Sequence, residues 1–168
     1  MSRLRQWLQL LTKNKPMILK GAQAPQFTLP DLDGKPVNSA DLHQDRPALL
    51  VFFKASCPVC QMTLPFLNRL LGKLSVVAIS QDDATVTQRF RARFGVTLPT
   101  LLDDEDGGYP VSNQYRITNV PSLFLVEPGG LISLAVDGFS KADLEAIADR
   151  AGTEIFQAGE SVPAWRPG

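Results

Sequence analysis

The stretch "KASCPVCQMTLP" (residues 54–65) holds both cysteines of the chain, Cys57 and Cys60, with a proline directly after the first. Before it, "PALLVFFKA" (47–55) is an unbroken apolar run rich in Val and Phe, as in a strand buried on both faces. After it, Met62, Phe66, Leu67, Leu70 and Leu71 recur at helical spacing, with Pro65 placed to kink the helix and Gly72 near its end. The cysteines therefore fall where a buried strand ends and a helix begins. Ligands and chemistry gather at that end of such sheets.

Further out, "LSVVAIS" (74–80) reads as a second buried strand. Asp82 or Asp83 then caps a helix whose Val86, Phe90 and Phe94 recur at helical spacing, closing at Gly95. "LPTLLDDEDGGYP" (98–110) is a strand followed by a solvated acidic loop whose spacing fits no EF-hand, and 111–117 reads as a short helix. "SLFLVEPGGLISLAV" (122–136) suits an antiparallel hairpin around its "EPGG" turn. Ser140 or Lys141 opens a last helix to about Ala151, with Leu144, Ile147 and Ala148 inward. Upstream, 27–29 is a short strand, "DLDGKPV" (31–37) a hairpin turn, and Ser39 the cap of one turn through Leu42.

This order predicts an α/β fold: a central mixed β-sheet flanked by helices, opening with a right-handed βαβ crossover and finishing antiparallel. An amphipathic N-terminal helix is read in residues 1–20, the domain in 21–151, and a tail that wraps the surface or frays in 152–168.

The composition, 44% hydrophobic and 20% charged, is that of a globular protein of one ordinary domain. Seventeen basic residues balance seventeen acidic ones, so no global field argues for nucleic acid as a partner. Arg3, Arg5, Lys13, Lys15 and Lys20 do precede the first acid, Asp31. Trp7 and its neighbouring leucines, interrupted by Arg5, Gln6 and Gln9, make an amphipathic helix rather than a signal-peptide core. Its apolar face packs on the domain or docks on a membrane surface. No export address is legible, so the expected compartment is the cytoplasm, with the periplasm as alternative.

The cysteine pair has three chemical readings. A structural disulfide would close a very short loop and constrain the unfolded chain little. A zinc site needs two further ligands, and the single histidine, His43, lies well upstream in a surface loop. A redox pair has a mechanism. Pro58 at the first helical position has a preset φ and lacks only an amide that had no helical partner. Cys57 then sits at the N-cap, facing free N–H groups and the positive end of the helix dipole, which favours thiolate over thiol. Cys60, one turn inside, is more buried and stays protonated until needed. No metal or cofactor is called for.

The strand "LLVFFKAS", then "CPVC", then "QMTLPFLNRL" with its mid-helix proline, resembles the active site of the thioredoxin superfamily. A second match, "YRITNVPSLFLVEPGGLI" (115–132), makes Pro121 the equivalent of that family's cis-proline beside the cysteines. The N-terminal hairpin and the insertion between 81 and 109 are similar to the redoxin branch, with its TlpA-like thiol–disulfide oxidoreductases and AhpC/TSA-like peroxiredoxin relatives.

The resemblance implies a nucleophilic Cys57 and a resolving Cys60, with Val120 and Pro121 offering backbone to an extended substrate and Pro58, Lys54 and Ser56 in support. It implies as partners a disulfide-containing protein or small thiol substrate and an upstream thiol reductant. Departures from the pattern matter too. Ser56 stands where tryptophan is usual, and Val51 where thioredoxin has a buried aspartate. The base for Cys60 is then sought in the acidic loop 103–106 or at Lys54. Leu50 and Lys54 occupy the proline and threonine positions of the peroxiredoxin motif. A thiol peroxidase is therefore the runner-up, and a non-catalytic thioredoxin-fold binding module the reading of a different class.

Overall fold

The computed structural model describes residues 16–168. The chain runs through β1 (Thr28–Pro30), β2 (Pro36–Asn38), α1 (Ser39–Leu42), β3 (Ala48–Phe53), α2 (Pro58–Leu67), β4 (Ser75–Ser80), α3 (Ala84–Phe94) and β5 (Thr100–Leu102). It continues through α4 (Pro110–Gln114), β6 (Ser122–Val126), β7 (Ile132–Asp137), β8 (Phe139–Ser140), α5 (Lys141–Arg150) and β9 (Trp165–Arg166). The amphipathic helix expected around Trp7 lies outside the described residues.

The main sheet has the order β5-β4-β3-β6-β7. Strands β3, β4 and β5 are mutually parallel, while β6 is antiparallel to both β3 and β7. Every residue of β3 and β6 is buried, as expected of central strands covered by helices on both faces. Alternation along β3 divides the core. Leu49, Val51 and Phe53 face Cys60, Leu64 and Leu67 of α2, Phe90 of α3, and Leu144 and Ile147 of α5. Leu50 and Phe52 face the other way, toward Phe27, Tyr115 and Phe124. On that second face the Tyr115 ring lies 5.2 Å from Phe52 and 5.1 Å from Phe124, and its hydroxyl donates to the Pro25 carbonyl at 2.9 Å. The segment leading into the β1–β2 hairpin is thereby tied to the sheet.

Several helix boundaries correct the sequence reading. Asn38, not Ser39, caps α1; Ser39 is buried and its hydroxyl accepts from the Phe27 N–H at 2.9 Å. On α3, Asp83 is the cap, bonding the Val86 N–H at 2.8 Å. Val86 is itself 37% exposed. The inward place goes to Thr87, whose hydroxyl pairs with Ser80 at 2.7 Å, because a polar partner awaits it in β4. The acidic loop is not solvated throughout. Asp103 is buried, and its two oxygens accept from the Val111 and Ser112 N–H groups at 3.0 and 2.7 Å, which starts α4. The tail lies along the surface of the domain, where β9 pairs antiparallel with β8.

Candidate active site

Strand β3 ends at Phe53 and α2 begins at Pro58, so four residues carry the chain from the buried sheet to the helix start. That turn is held from both sides of Ala55. Its N–H donates to Asp82 Oδ2 at 2.7 Å, and its carbonyl accepts from Gln61 Nε2 at 2.9 Å. Cys57 follows as the N-cap of α2 with extended backbone (φ −83°, ψ 114°), and its sulfur accepts from the Cys60 N–H at 3.1 Å. A sulfur atom thus takes one of the backbone donors that a helix start leaves unpaired.

The two thiols are free and have opposite surroundings. Cys57 is half-buried and opens to solvent, whereas Cys60 is 0% exposed. Burial pushes the Cys60 thiol up, and the Cys57 sulfur and the Asp82 charge push the same way, against a backbone contact from Lys54 that pulls it down. Val51, which replaces a buried acid in the resembled pattern, belongs to the same apolar cluster as Cys60.

Across from the helix start, the Val120–Pro121 peptide is cis, as the resemblance implies. The Cys57 thiol donates to the Val120 carbonyl at 3.3 Å. Cys57, Pro58, Gln81, Val120 and the 117–119 segment line an open groove of about 410 Å³. Among the described residues, the Val120 N–H donates to no backbone carbonyl.

The structure thus brings Cys57, Cys60, Pro58, Val120 and Pro121 together. It does not bring Lys54 to the sulfurs: its ammonium lies 5.8 Å from the Tyr109 ring, over a neighbouring acidic cavity. Ser56 is exposed at the rim. Of the acids considered as a base for Cys60, Asp103 is spent on the start of α4. Asp104 Oδ1 accepts from the Gly107 N–H at 3.1 Å within its own loop. The carboxylate whose charge reaches Cys60 is Asp82, which the sequence offered only as one of two adjacent helix caps. With Asp83 taking the cap, Asp82 is free to turn back onto Ala55, a choice that adjacent identical residues do not reveal.

Comparison with known proteins bears on what this arrangement is. Residues 20–135 match the model of the AhpC/TSA family. The chain belongs to the AhpC/TSA family. It is 27% identical over 138 residues to the thiol–disulfide oxidoreductase ResA of Geobacillus kaustophilus, which covers 78% of this chain and 77% of that protein. Among solved structures it is similar to a thiol:disulfide interchange protein DsbE from Chlorobium tepidum (TM-score 0.68, 27% identity, 78% of this chain and 94% of that one). Its fold is also that of a secreted Mycobacterium tuberculosis disulfide oxidoreductase homologous to DsbE (TM-score 0.60, 23% identity, 76% and 95% coverage).

The fold is thioredoxin-like, and the enzyme class within the family is thiol–disulfide oxidoreductase. These relatives correct the expected compartment. The cytoplasmic expectation is drawn from the leading residues and the lack of an apolar span, and the relatives that the chain matches do not support it. No helix among the described residues is long and apolar enough to cross a membrane.

Proposed function

We propose that Cys57 and Cys60 form a redox-active dithiol that exchanges with disulfides of polypeptide substrates. The Cys57 thiolate attacks one substrate sulfur, forming a mixed disulfide and expelling the other substrate sulfur as a thiolate that takes up a proton. Asp82 accepts the proton of Cys60, and the Cys60 thiolate attacks the Cys57 sulfur. The mixed disulfide breaks, the substrate leaves reduced by two electrons, and the enzyme holds a Cys57–Cys60 disulfide. A thiol reductant upstream returns it to the dithiol, and with the poise reversed the same steps oxidise a substrate. Val120 and Pro121 present backbone to an extended substrate segment in the groove.

The observation that carries this reading is the contrast between the sulfurs. One is open to the groove at a helix N-cap, and the other is wholly buried one turn behind it. That arrangement suits attack from outside followed by resolution from inside. The peroxidase reading lacks comparable support, because the place of a short fixed hydroxyl is held by Lys54, whose ammonium sits over Tyr109.

The test is to supply dithiothreitol with oxidised insulin or with hydrogen peroxide. Catalysed insulin reduction is expected, together with slow peroxide consumption. A second-order constant for peroxide of about 10⁴ M⁻¹s⁻¹ or more, without insulin reduction, would reverse the assignment.

A further inference from the structure

We propose that residues 165–168 form a strap laid across the substrate groove, which an extended polypeptide must displace to reach Cys57. The proposal rests on the dithiol reading above and adds a control on its substrates. The strap begins where β9 pairs antiparallel with β8, Ser140 opposite Trp165 and Phe139 opposite Arg166. Just before it, the Ala164 carbonyl accepts from the Lys141 N–H at 3.0 Å, at the start of α5.

The path beyond β9 depends on Gly138. Its φ is +82°, and a Cβ there would collide with the Arg166 carbonyl and stand 2.9 Å from the Gly168 nitrogen. A bare backbone at 138 therefore lets the tail run close past the start of β8 and reach the groove. There Gly168 lines the same hollow as Cys57 and Val120. It lies so close that a Cβ at 168 would stand 2.8 Å from the Val120 carbonyl, the group to which the Cys57 thiol donates. The tail thus rests against the backbone that the proposed mechanism offers to substrate.

The strap is anchored at its root and lightly held at its end. At the root, Arg69 Nη1 donates to Glu160 Oε2 at 2.8 Å and to the Ile155 carbonyl at 2.7 Å. Beyond Pro163 every residue is exposed, Trp165 at 57%, and the pairing with β8 spans two residues. So few hydrogen bonds are largely offset by the entropy of ordering the segment. A polypeptide competing for Val120 then meets a groove that is free only part of the time. Its apparent affinity falls by that fraction. A small reagent that needs only the sulfur is little affected.

The test compares the full chain with a variant lacking residues 165–168, which keeps the Ala164 carbonyl and hence the start of α5. Cys57 is alkylated separately with iodoacetamide and with a polyethylene-glycol maleimide, and KM is measured for oxidised insulin. Shortening should speed the bulky reagent about three- to tenfold, leave iodoacetamide within about twofold, and lower KM for insulin by a similar factor. Unchanged or slower bulky labelling would overturn the strap, whatever the turnover. Faster bulky labelling with no insulin reduction by either protein would support the strap and count against the dithiol reading alone.

Discussion

Cys57 and Cys60 are three positions apart on one helix start, and position alone separates their chemistry. The N-cap sulfur faces the groove and receives a backbone N–H, while the inner sulfur is sealed beneath α2 with the charge of Asp82 nearby. Timed alkylation read by mass spectrometry should therefore label Cys57 faster than Cys60 at neutral pH, by about a hundredfold or more. The sign of the Cys60 shift extends the expectation upward. An ordinary thiol ionises as pH rises through about 8.5, but one pushed up stays protonated, so Cys60 should remain unlabelled at about pH 9. Rapid labelling of Cys60 there would contradict the assignment.

Asp82 gives a second residue-scale outcome. In Asp82→Asn the amide oxygen can still accept from the Ala55 N–H, so the turn keeps its place. Proton removal from Cys60 is lost, and resolution should slow on the order of a hundredfold. Formation of the Cys57 adduct should be unchanged. Single-turnover kinetics separate the steps, and equal slowing of both would mark Asp82 as merely structural.

At the scale of elements, α4 connects β5 to the segment that carries Val120 and Pro121. Its start depends on one buried carboxylate bonding two N–H groups, and its end on the Ile117 N–H donating to the Ser112 carbonyl at 2.9 Å. Asp103→Ala would strand two buried donors at a cost of about 2–5 kcal/mol, measured by urea unfolding. A loss under about 1 kcal/mol would show that water or a rearranged α4 takes over the role.

This element also marks a limit of sequence reading. The run "LLDDEDGGYP" looks uniformly hydrophilic, and nothing local distinguishes Asp103, which turns inward, from its solvated neighbours. By contrast β3, α2, β4 and the β6–β7 hairpin were legible, because unbroken apolar runs and helical spacing report burial directly. Val86 marks a different limit, since it shares the helical spacing of Phe90 and Phe94 and is nonetheless exposed. The site opposite holds a hydroxyl, Ser80, that suits Thr87 better.

At the scale of the molecule, the mixed sheet brings together two stretches some sixty residues apart, Cys57 in the turn that follows β3 and Val120 just before β6. Antiparallel pairing of these neighbouring strands does this, with Phe52 opposite Ser122. Strand order and the cysteine motif could be read from the chain. The route of the tail could not, since "PAWRPG" has neither periodicity nor an apolar face and takes its place from Gly138 and the edge of β8. Nor could the compartment, for which the cytoplasmic expectation drawn from the leading residues does not stand.

In the proposed exchange Cys57 attacks first and Cys60 resolves. The most direct test of this order is mass spectrometry of Cys60→Ser and Cys57→Ser, each reduced and then mixed with oxidised insulin. Cys60→Ser should accumulate a mixed disulfide mapping to Cys57, while Cys57→Ser should trap none. A stable adduct on Cys60 in the Cys57→Ser protein, with none on Cys57 in Cys60→Ser, would contradict it.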